Sequence, residues 1–306
     1  MDADKNNTVL VTGGRGFIGR TVGKLLQRAG YRVLLLDRRA SNAAADDQKS
    51  GAEIVCDIAD ASQLQRVFDA KRIDGIIHLA ATLPTAAQRD PLRATQVNVE
   101  GSAHLLEMAR QVGVRRFVFG SSLSVYGTCT ADQAVSETDR AAPEDLYGAA
   151  KLYVERLGEA YRDCHGLEFV SLRIGRVLGP GSQSVSSAWR SQIFELLGTN
   201  DPAEIALPYV ESERLLLVHV DDVAAMLVTV LGASRPEFGI YNALCESVAV
   251  ADLKHAVEGL NSRISIRLGE RYAAGNPRLL DSSRFAREFG FRTTSIFGQL
   301  RRAAGK

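Results

Sequence analysis

The sequence predicts an α/β protein, a doubly wound parallel sheet with a smaller C-terminal region set over it. Three observations carry this. A β-branched apolar run leads directly into a glycine-rich turn, strand-like and helix-like segments then alternate, and Tyr147 and Lys151 stand four residues apart in L-Y-G-A-A-K downstream of that turn.

Thr8 to Thr12 (T-V-L-V-T) has the composition of a strand buried in a parallel sheet. It runs into Gly13, Gly14, Gly16 and Gly19. Glycines at 13, 16 and 19 permit a tight turn and close approach of backbone to a pyrophosphate. The pyrophosphate charge would rest at the N-terminus of a helix carrying Phe17, Ile18, Val22 and Leu25. The next strand, Arg32 to Leu36, ends at Asp37, 18 residues past Gly19. A Rossmann fold places there the carboxylate that bonds the adenosine ribose hydroxyls. Asp37 repels a 2′-phosphate and so favours NAD; Arg38 and Arg39 are of the type that accommodates one, which keeps NADP as the alternative.

After the polar loop A-S-N-A-A-A-D-D-Q-K-S-G, the pattern predicts a strand ending at Cys56-Asp57, a helix near Ser62 to Asp69 and a strand over Gly75 to Leu79. A helix over Gln96 to Val112 and a buried-type strand over Arg116 to Gly120 follow. Parallel strands joined by helical crossovers are the expected arrangement. On that frame Asp57 and Ile58 fall where the adenine is bracketed. Leu79, Ala80 and Ala81 fall along the pyrophosphate and nicotinamide ribose. The plainer alternative is that small apolar residues at strand ends simply pack. The NAD-binding domain is expected over residues 1–174 and rejoined by about 215–240, with residues 175–306 mainly binding substrate. The turn-rich G-P-G-S-Q-S from Gly179 marks the crossing, Val218 to Val230 is a strand and helix returning to the main sheet, and Val250 to Gly259 and Asp281 to Phe289 read as helices.

Composition removes other classes. The 306 residues carry a net charge of +1 with dispersed basic residues, which gives no footprint for nucleic acid. The cysteines at 56, 129, 164 and 245 form no C-x-x-C pair and no metal-ligand spacing, so reduced cytoplasmic thiols and no metal are expected. The polar start M-D-A-D-K-N-N and the absence of any 18-residue apolar stretch predict neither a signal peptide nor a membrane span.

Tyr147 and Lys151 supply the chemistry. A phenol titrates near 10, so exchanging a proton with an alcohol at neutral pH needs nearby positive charge that favours the phenolate. On a helix, positions i and i+4 share a face, which points ammonium and phenol into one cleft. Alone, the pair reads more readily as an exposed aromatic–lysine pair, which is common on helices.

The ordered motifs V-T-G-G-R-G-F-I-G, Asp37, C-D-I-A-D, I-I-H-L-A-A, N-V-E-G-S-A-H-L-L-E-M-A, F-G-S-S-L-S-V-Y-G, L-Y-G-A-A-K, L-R-I-G-R-V-L-G-P-G and V-H-V-D-D-V-A span nearly the whole chain. Together they resemble the extended short-chain dehydrogenases/reductases of the NAD-dependent epimerase/dehydratase group. The resemblance implies an enzyme that binds NAD and transfers a hydride at a hydroxyl carbon of a sugar, sugar acid or nucleotide sugar. It implies Ser122 as the hydroxyl that bonds the reacting oxygen, Tyr147 as general acid/base, and Lys151 as the group that holds the nicotinamide ribose and lowers the tyrosine pKa. Asn98 and Ile174 join the cofactor residues, though Asn98 reads equally as a structural hydrogen bonder within its helix. A homodimer through the helices at 96–112 and 147–164 is implied as well.

Departures from the family pattern bear on the substrate. The Asp-Glu pair of the 4,6-dehydratases is replaced by Leu123 and Ser124, which argues against dehydration. The arginine that meets a substrate diphosphate would stand at Leu215, but here it is Arg214, and a shift of one on a strand turns a side chain to the other face. Arg176 replaces a usual asparagine. Thr82, Ser122, Ser124, Arg176 and Arg214 are therefore the substrate candidates, with Gln183, Ser184, Ser186, Arg190 and Thr128 nearby in sequence. Arginines can clamp a carboxylate through paired hydrogen bonds. A non-catalytic NAD sensor on the same fold is the alternative function.

Overall fold

The computed structural model describes residues 7–40, 51–129, 133–181 and 187–306. The polar N-terminus, most of the alanine-rich loop, and Gln183, Ser184 and Ser186 lie outside them.

The strands are β1 (Thr8–Thr12), β2 (Arg32–Asp37), β3 (Ala52–Val55), β4 (Gly75–His78), β5 (Arg116–Ser122), β6 (Glu168–Ile174), β7 (Arg176–Leu178), β8 (Ala203–Tyr209), β9 (Arg214–His219), β10 (Ile240–Asn242), β11 (Glu246–Ala249) and β12 (Ile264–Arg271). The helices are α1 (Phe17–Arg28), α2 (Ala61–Ala70), α3 (Pro84–Arg89), α4 (Pro91–Thr95), α5 (Gly101–Gln111), α6 (Leu146–His165), α7 (Trp189–Glu195), α8 (Val220–Gly232), α9 (Val250–Leu260), α10 (Ser283–Phe289) and α11 (Ile296–Ala303).

Seven strands pair in the order β10-β6-β5-β4-β1-β2-β3, every neighbouring pair parallel. The order reverses between β1 and β4, and ligands of open α/β sheets bind at such a switch, beyond the C-terminal strand ends. Both faces are covered, which is why the central strands are apolar throughout rather than alternating. One face packs under α1 and α8 through Val22, Leu26, Val223 and Leu227; the other packs under α2, α5 and α6 through Leu64, Leu105, Leu106 and Val154.

Two expected elements differ. The helix read from Gln96 begins as a π-helical turn, Gln96–Glu100, and becomes α-helical at Gly101. The strand expected to rejoin the main sheet, β9, pairs instead with β7 and β11 in a separate three-stranded sheet; α8 returns to the main sheet's face and β10 to its edge. Apolar composition marks β9 as buried but does not say in which core. Its side chains Leu215 and Leu217 join Trp189, Ile193, Ile205, Leu253 and Ile264 in a third core, which belongs to the covering region.

Candidate active site

The dinucleotide cradle is built from backbone. Gly13 has φ +64°, and a Cβ there would lie 2.8 Å from the Ala80 nitrogen; one on Gly19 would lie 2.2 Å from the Gly13 carbonyl oxygen. Only glycine lets the turn fold so tightly against the end of β4. Helix α1 then starts from Gly16, which has no side chain to accept a first-turn N–H. Its N–H groups and the positive end of its dipole are thus presented to an anion. Phe17, Ile18 and Gly19 form that first turn. This arrangement fits the pyrophosphate of a dinucleotide.

Asp37 ends β2, and its carboxylate is held by the backbone N–H groups of Arg15 (3.3 Å) and Arg39 (3.4 Å). The Arg15 guanidinium is committed to Glu53 at 2.5 Å, a partner with no signal in the sequence. Asp57 is oriented by the Ala59 N–H at 3.0 Å and ion-paired with Arg93, another unforeseen partner. Ile58 is buried and packs against Gly101.

A buried chain of hydrogen bonds crosses the switch point. Thr12 Oγ1 meets His78 Nδ1 at 2.6 Å, and His78 Nε2 meets Ser102 Oγ at 2.9 Å. Since the Ser102 hydroxyl donates to the Asn98 carbonyl at 2.8 Å, it accepts from Nε2–H, and Nδ1 accepts from Thr12. Burial first, then the charge of Lys151, pushes His78 down to about 3, so the ring is neutral. Thr12 Oγ1 also accepts from Leu79 N–H and Ala80 N–H, both at 3.3 Å, which fixes the start of the Leu79-Ala80-Ala81 segment. Asn98 binds both sides of the Thr82 backbone, accepting its N–H at 2.7 Å and donating to its carbonyl at 3.0 Å. The Asn98 amide is therefore occupied by the segment along which the cofactor candidates lie. Neither Thr12 nor Ser102 stood out in the sequence, because a buried hydroxyl gains meaning only from its partner.

Helix α6 presents the reactive side chains. Asp145 caps it, accepting the Gly148 N–H at 2.7 Å. A Cβ on Gly148 would lie 2.4 Å from the Ser124 carbonyl oxygen, so glycine lets the first turn press onto the turn after β5. That brings the Tyr147 phenol to the Ser122 hydroxyl, which also accepts the Ser124 N–H at 3.1 Å. Ser122 thus fills both roles open to it, turn cap and neighbour of the phenol. Lys151 is 4% exposed; its Nζ donates to the Gly120 carbonyl at 2.7 Å and lies 4.5 Å from the Phe119 ring centroid and 5.5 Å from that of Tyr147. Ile174 is the register partner of Ser122 at the same edge.

Burial dominates the electrostatics of this pair, against the lowered Tyr147 pKa that the resemblance implies. Desolvation first and Asp145 second push the phenol up to about 12, against the Ser122 hydrogen bond, and burial pushes Lys151 down to about 7, against Glu155. Burial penalises both charged forms, and the lysine hydrogen-bonds a carbonyl rather than the phenol. Glu155, one turn past Lys151, is fully buried and forked by Arg173 at 2.7 and 3.0 Å; Arg173 also donates to Tyr126 Oη at 2.7 Å. This pair ties α6 to β6 and escaped the sequence reading.

The substrate candidates divide. Ser124 lies beside Ser122, and Thr82 is pinned by Asn98. Arg176 donates to the Ala274 carbonyl at 3.3 Å with its guanidinium 5.9 Å from the Tyr209 ring. Arg214 is exposed and turned away, bonded to Ser247 at 2.7 and 3.2 Å, while Leu215 is fully buried in the covering core. A broad cleft at the β10 edge, near Arg162, Arg235 and Phe238, includes none of the three reactive residues. Among the described residues no cluster of three or more His, Cys, Asp or Glu side chains is placed to hold a metal, and no helix is long and apolar enough to cross a membrane.

Residues 9–243 match the profile of the NAD dependent epimerase/dehydratase family. Among curated proteins, the chain is 34% identical over 173 residues to UDP-glucose 4-epimerase of Lacticaseibacillus casei, covering 56% of this chain and 52% of that one. It is 29% identical over 186 residues to uronate dehydrogenase of Pseudomonas syringae pv. tomato, covering 60% and 65%. The matches thus span about half to two thirds of those relatives. Among solved structures, UDP-glucose 4-epimerase of Thermus thermophilus in complex with NAD superposes with a TM-score of 0.83 at 26% identity, over 97% of this chain and 98% of that one. GalE-like L-threonine dehydrogenase of Cupriavidus necator shares the fold, with a TM-score of 0.85 at 22% identity over 97% and 99%. The glycine turn, the switch point and the profile match over most of its length agree: the chain belongs to the NAD-dependent epimerase/dehydratase family.

Proposed function

We propose that the protein is an NAD-dependent oxidoreductase or epimerase acting at a hydroxyl carbon of a sugar, sugar acid or nucleotide sugar, with Ser122, Tyr147 and Lys151 as its reactive residues. The observation that carries this reading is the convergence of all three at the C-terminal end of β5, on the side of the sheet where the glycine turn would hold a dinucleotide. When bound, NAD+ supplies the hydride acceptor and a positively charged ring. Ser122 donates to the reacting oxygen, and Tyr147 exchanges the proton of that hydroxyl. Lys151 offers its ammonium to the ribose and favours the phenolate once the cleft is filled. Because burial holds the Tyr147 proton tightly, oxidation is the direction that gains from alkaline pH, with up to a tenfold rise per unit below the phenol's pKa.

The relatives named above include an epimerase and a dehydrogenase, which supports both outcomes of one hydride step: release of reduced cofactor, or return of the hydride to the other face. The 4,6-dehydratase reaction is disfavoured by Leu123 and Ser124. A homodimer through α5 and α6 and a cytoplasmic setting belong to the same reading. Exposed Leu146 and Tyr153 on α6 are apolar surface that such a dimer would cover. The test is absorbance at 340 nm with NAD+ and a panel of free sugars, sugar acids and nucleotide sugars, with product analysis. NADH formation or an inverted product supports the reading; NAD+ binding without conversion of any compound would leave a dinucleotide sensor in its place.

A further inference from the structure

A set of contacts links the segments that follow β5 and β6. Ser122 registers with Ile174, and Arg176 follows two residues later. Arg176 donates to the Ala274 carbonyl, and the neighbouring Gly275 N–H donates to Thr128 Oγ1 at 2.7 Å, six residues past Ser122. Arg190 comes up beside Arg176 from α7, close enough that its guanidinium is disfavoured by burial first and by the Arg176 charge as well, with Tyr209 as its hydrogen-bond partner.

The two guanidiniums rest on aromatic rings instead of acids. Arg176 lies 5.9 Å from the Tyr209 centroid and Arg190 5.6 Å from that of Trp189; the two rings meet edge-on at 6.2 Å. Two other arginines of the covering region have carboxylate partners, Arg267 with Glu204 at 2.8 Å and Arg278 with Glu213 at 3.3 Å, while Arg214 is bonded to Ser247 and Arg263 to the Asn200 carbonyl. Among the described residues neither Arg176 nor Arg190 is ion-paired, and the Arg190 Nε is buried without any hydrogen-bond partner. Two like charges gathered without a counter-charge, one with an orphaned buried donor, are unfavourable until an anion enters. Stacking on ring faces leaves the N–H groups that are not committed to Ala274 and Tyr209 available to a planar anion. The position of the family's diphosphate arginine is filled by buried Leu215, and Arg214 is occupied by Ser247.

Resting on the hydride-transfer reading above, we propose that the substrate alcohol carries a carboxylate, held between Arg176 and Arg190 at the mouth of the cleft. The substrate class is a sugar acid or similar small hydroxy acid rather than a neutral sugar.

The test compares a hexuronic acid, its uncharged amide, the parent hexose and a UDP-hexose, by NADH formation and by calorimetric binding to the NAD+-loaded protein. The expected kcat/KM for the acid exceeds that for the amide by about 10- to 100-fold, the span of a charge-assisted hydrogen-bonded pair. Arg190→Met keeps the packed stem but removes the fork, and is expected to collapse the acid-over-amide preference to a few-fold, mainly through KM. Arg190→Lys is expected to recover only part of it. Arg176→Met, at the less buried rim, is the second variant. Equal use of acid and amide, preference for the UDP-hexose, failure of hexuronic and small hydroxy acids to bind, or equal loss for acid and amide in the arginine variants would overturn the clamp. Acid binding that is kept in Tyr147→Phe but lost in Arg190→Met supports the clamp even without turnover. Turnover of neutral compounds alone would sink the clamp and leave hydride transfer standing.

Discussion

The two ends of the cleft are built from different materials. On the proposed dinucleotide side the lining is backbone: the Gly13–Gly19 turn, the open first turn of α1 and the Leu79–Ala81 segment held by Thr12. On the proposed substrate side the candidates are side chains: Ser122 with Tyr147, and Arg176 with Arg190 around Tyr209. A backbone site depends on a few glycines and a strand order, so it persists across a family whose members differ at most positions. A side-chain site changes with one substitution, as Leu215 and Arg176 show. The difference explains how a chain can match NAD-dependent relatives along most of its length while its substrate class is written elsewhere.

The largest structural effect expected lies where the two sides are joined. Glu155→Gln leaves the buried Arg173 without its counter-charge and should cost about 3–5 kcal/mol in urea unfolding. A loss under about 1 kcal/mol would show that α6 is anchored by packing alone. On the backbone side, Gly19→Ala forces the turn open against the Gly13 carbonyl, and NAD+ binding by fluorescence titration should weaken about 10- to 100-fold. Unchanged affinity would break the claim that backbone geometry makes that site.

Two smaller effects sharpen the comparison. Asn98→Ala leaves the Thr82 N–H and carbonyl without their partners and should cost about 1–3 kcal/mol, read by chemical denaturation, with the strands intact by circular dichroism. His78 predicts a pH dependence. Its folded pKa of about 3 lies below the unfolded value of 6.5, so between those values the unfolded chain binds the extra proton. Stability therefore falls as pH drops from 6.5 towards 3, with a slope from this group of up to about 1.4 kcal/mol per unit. His78→Asn should flatten the curve by that amount, and parallel curves for the two proteins would remove His78 from the account.

The same division governs what was legible in the sequence. Strand, glycine turn, helix and terminal acid are local, and spacing alone exposes them; hence β1, α1, β2 and the Tyr147/Lys151 face of α6 lie where the pattern put them. Partnerships across the chain left no local trace. Arg15 with Glu53, Arg93 with Asp57, Glu155 with Arg173 and Thr12 with His78 join residues 18 to 66 positions apart, invisible to a short window of sequence. β9 reads as an apolar strand in either sheet, and only its pairing with β7 and β11 decides. The desolvation of Tyr147 is hidden for a related reason: spacing along the helix shows which charges are near, whereas desolvation is a property of the packed fold.

The role given to Tyr147 stands on a split between binding and turnover. NAD+ affinity and substrate conversion should be measured side by side for the wild type and Tyr147→Phe, using a compound the wild type converts. Removing only the hydroxyl should leave NAD+ affinity within a few-fold and lower turnover by about 10²- to 10⁴-fold. Conversion by the variant at the wild-type rate would contradict the assignment and take the phenol out of the reaction.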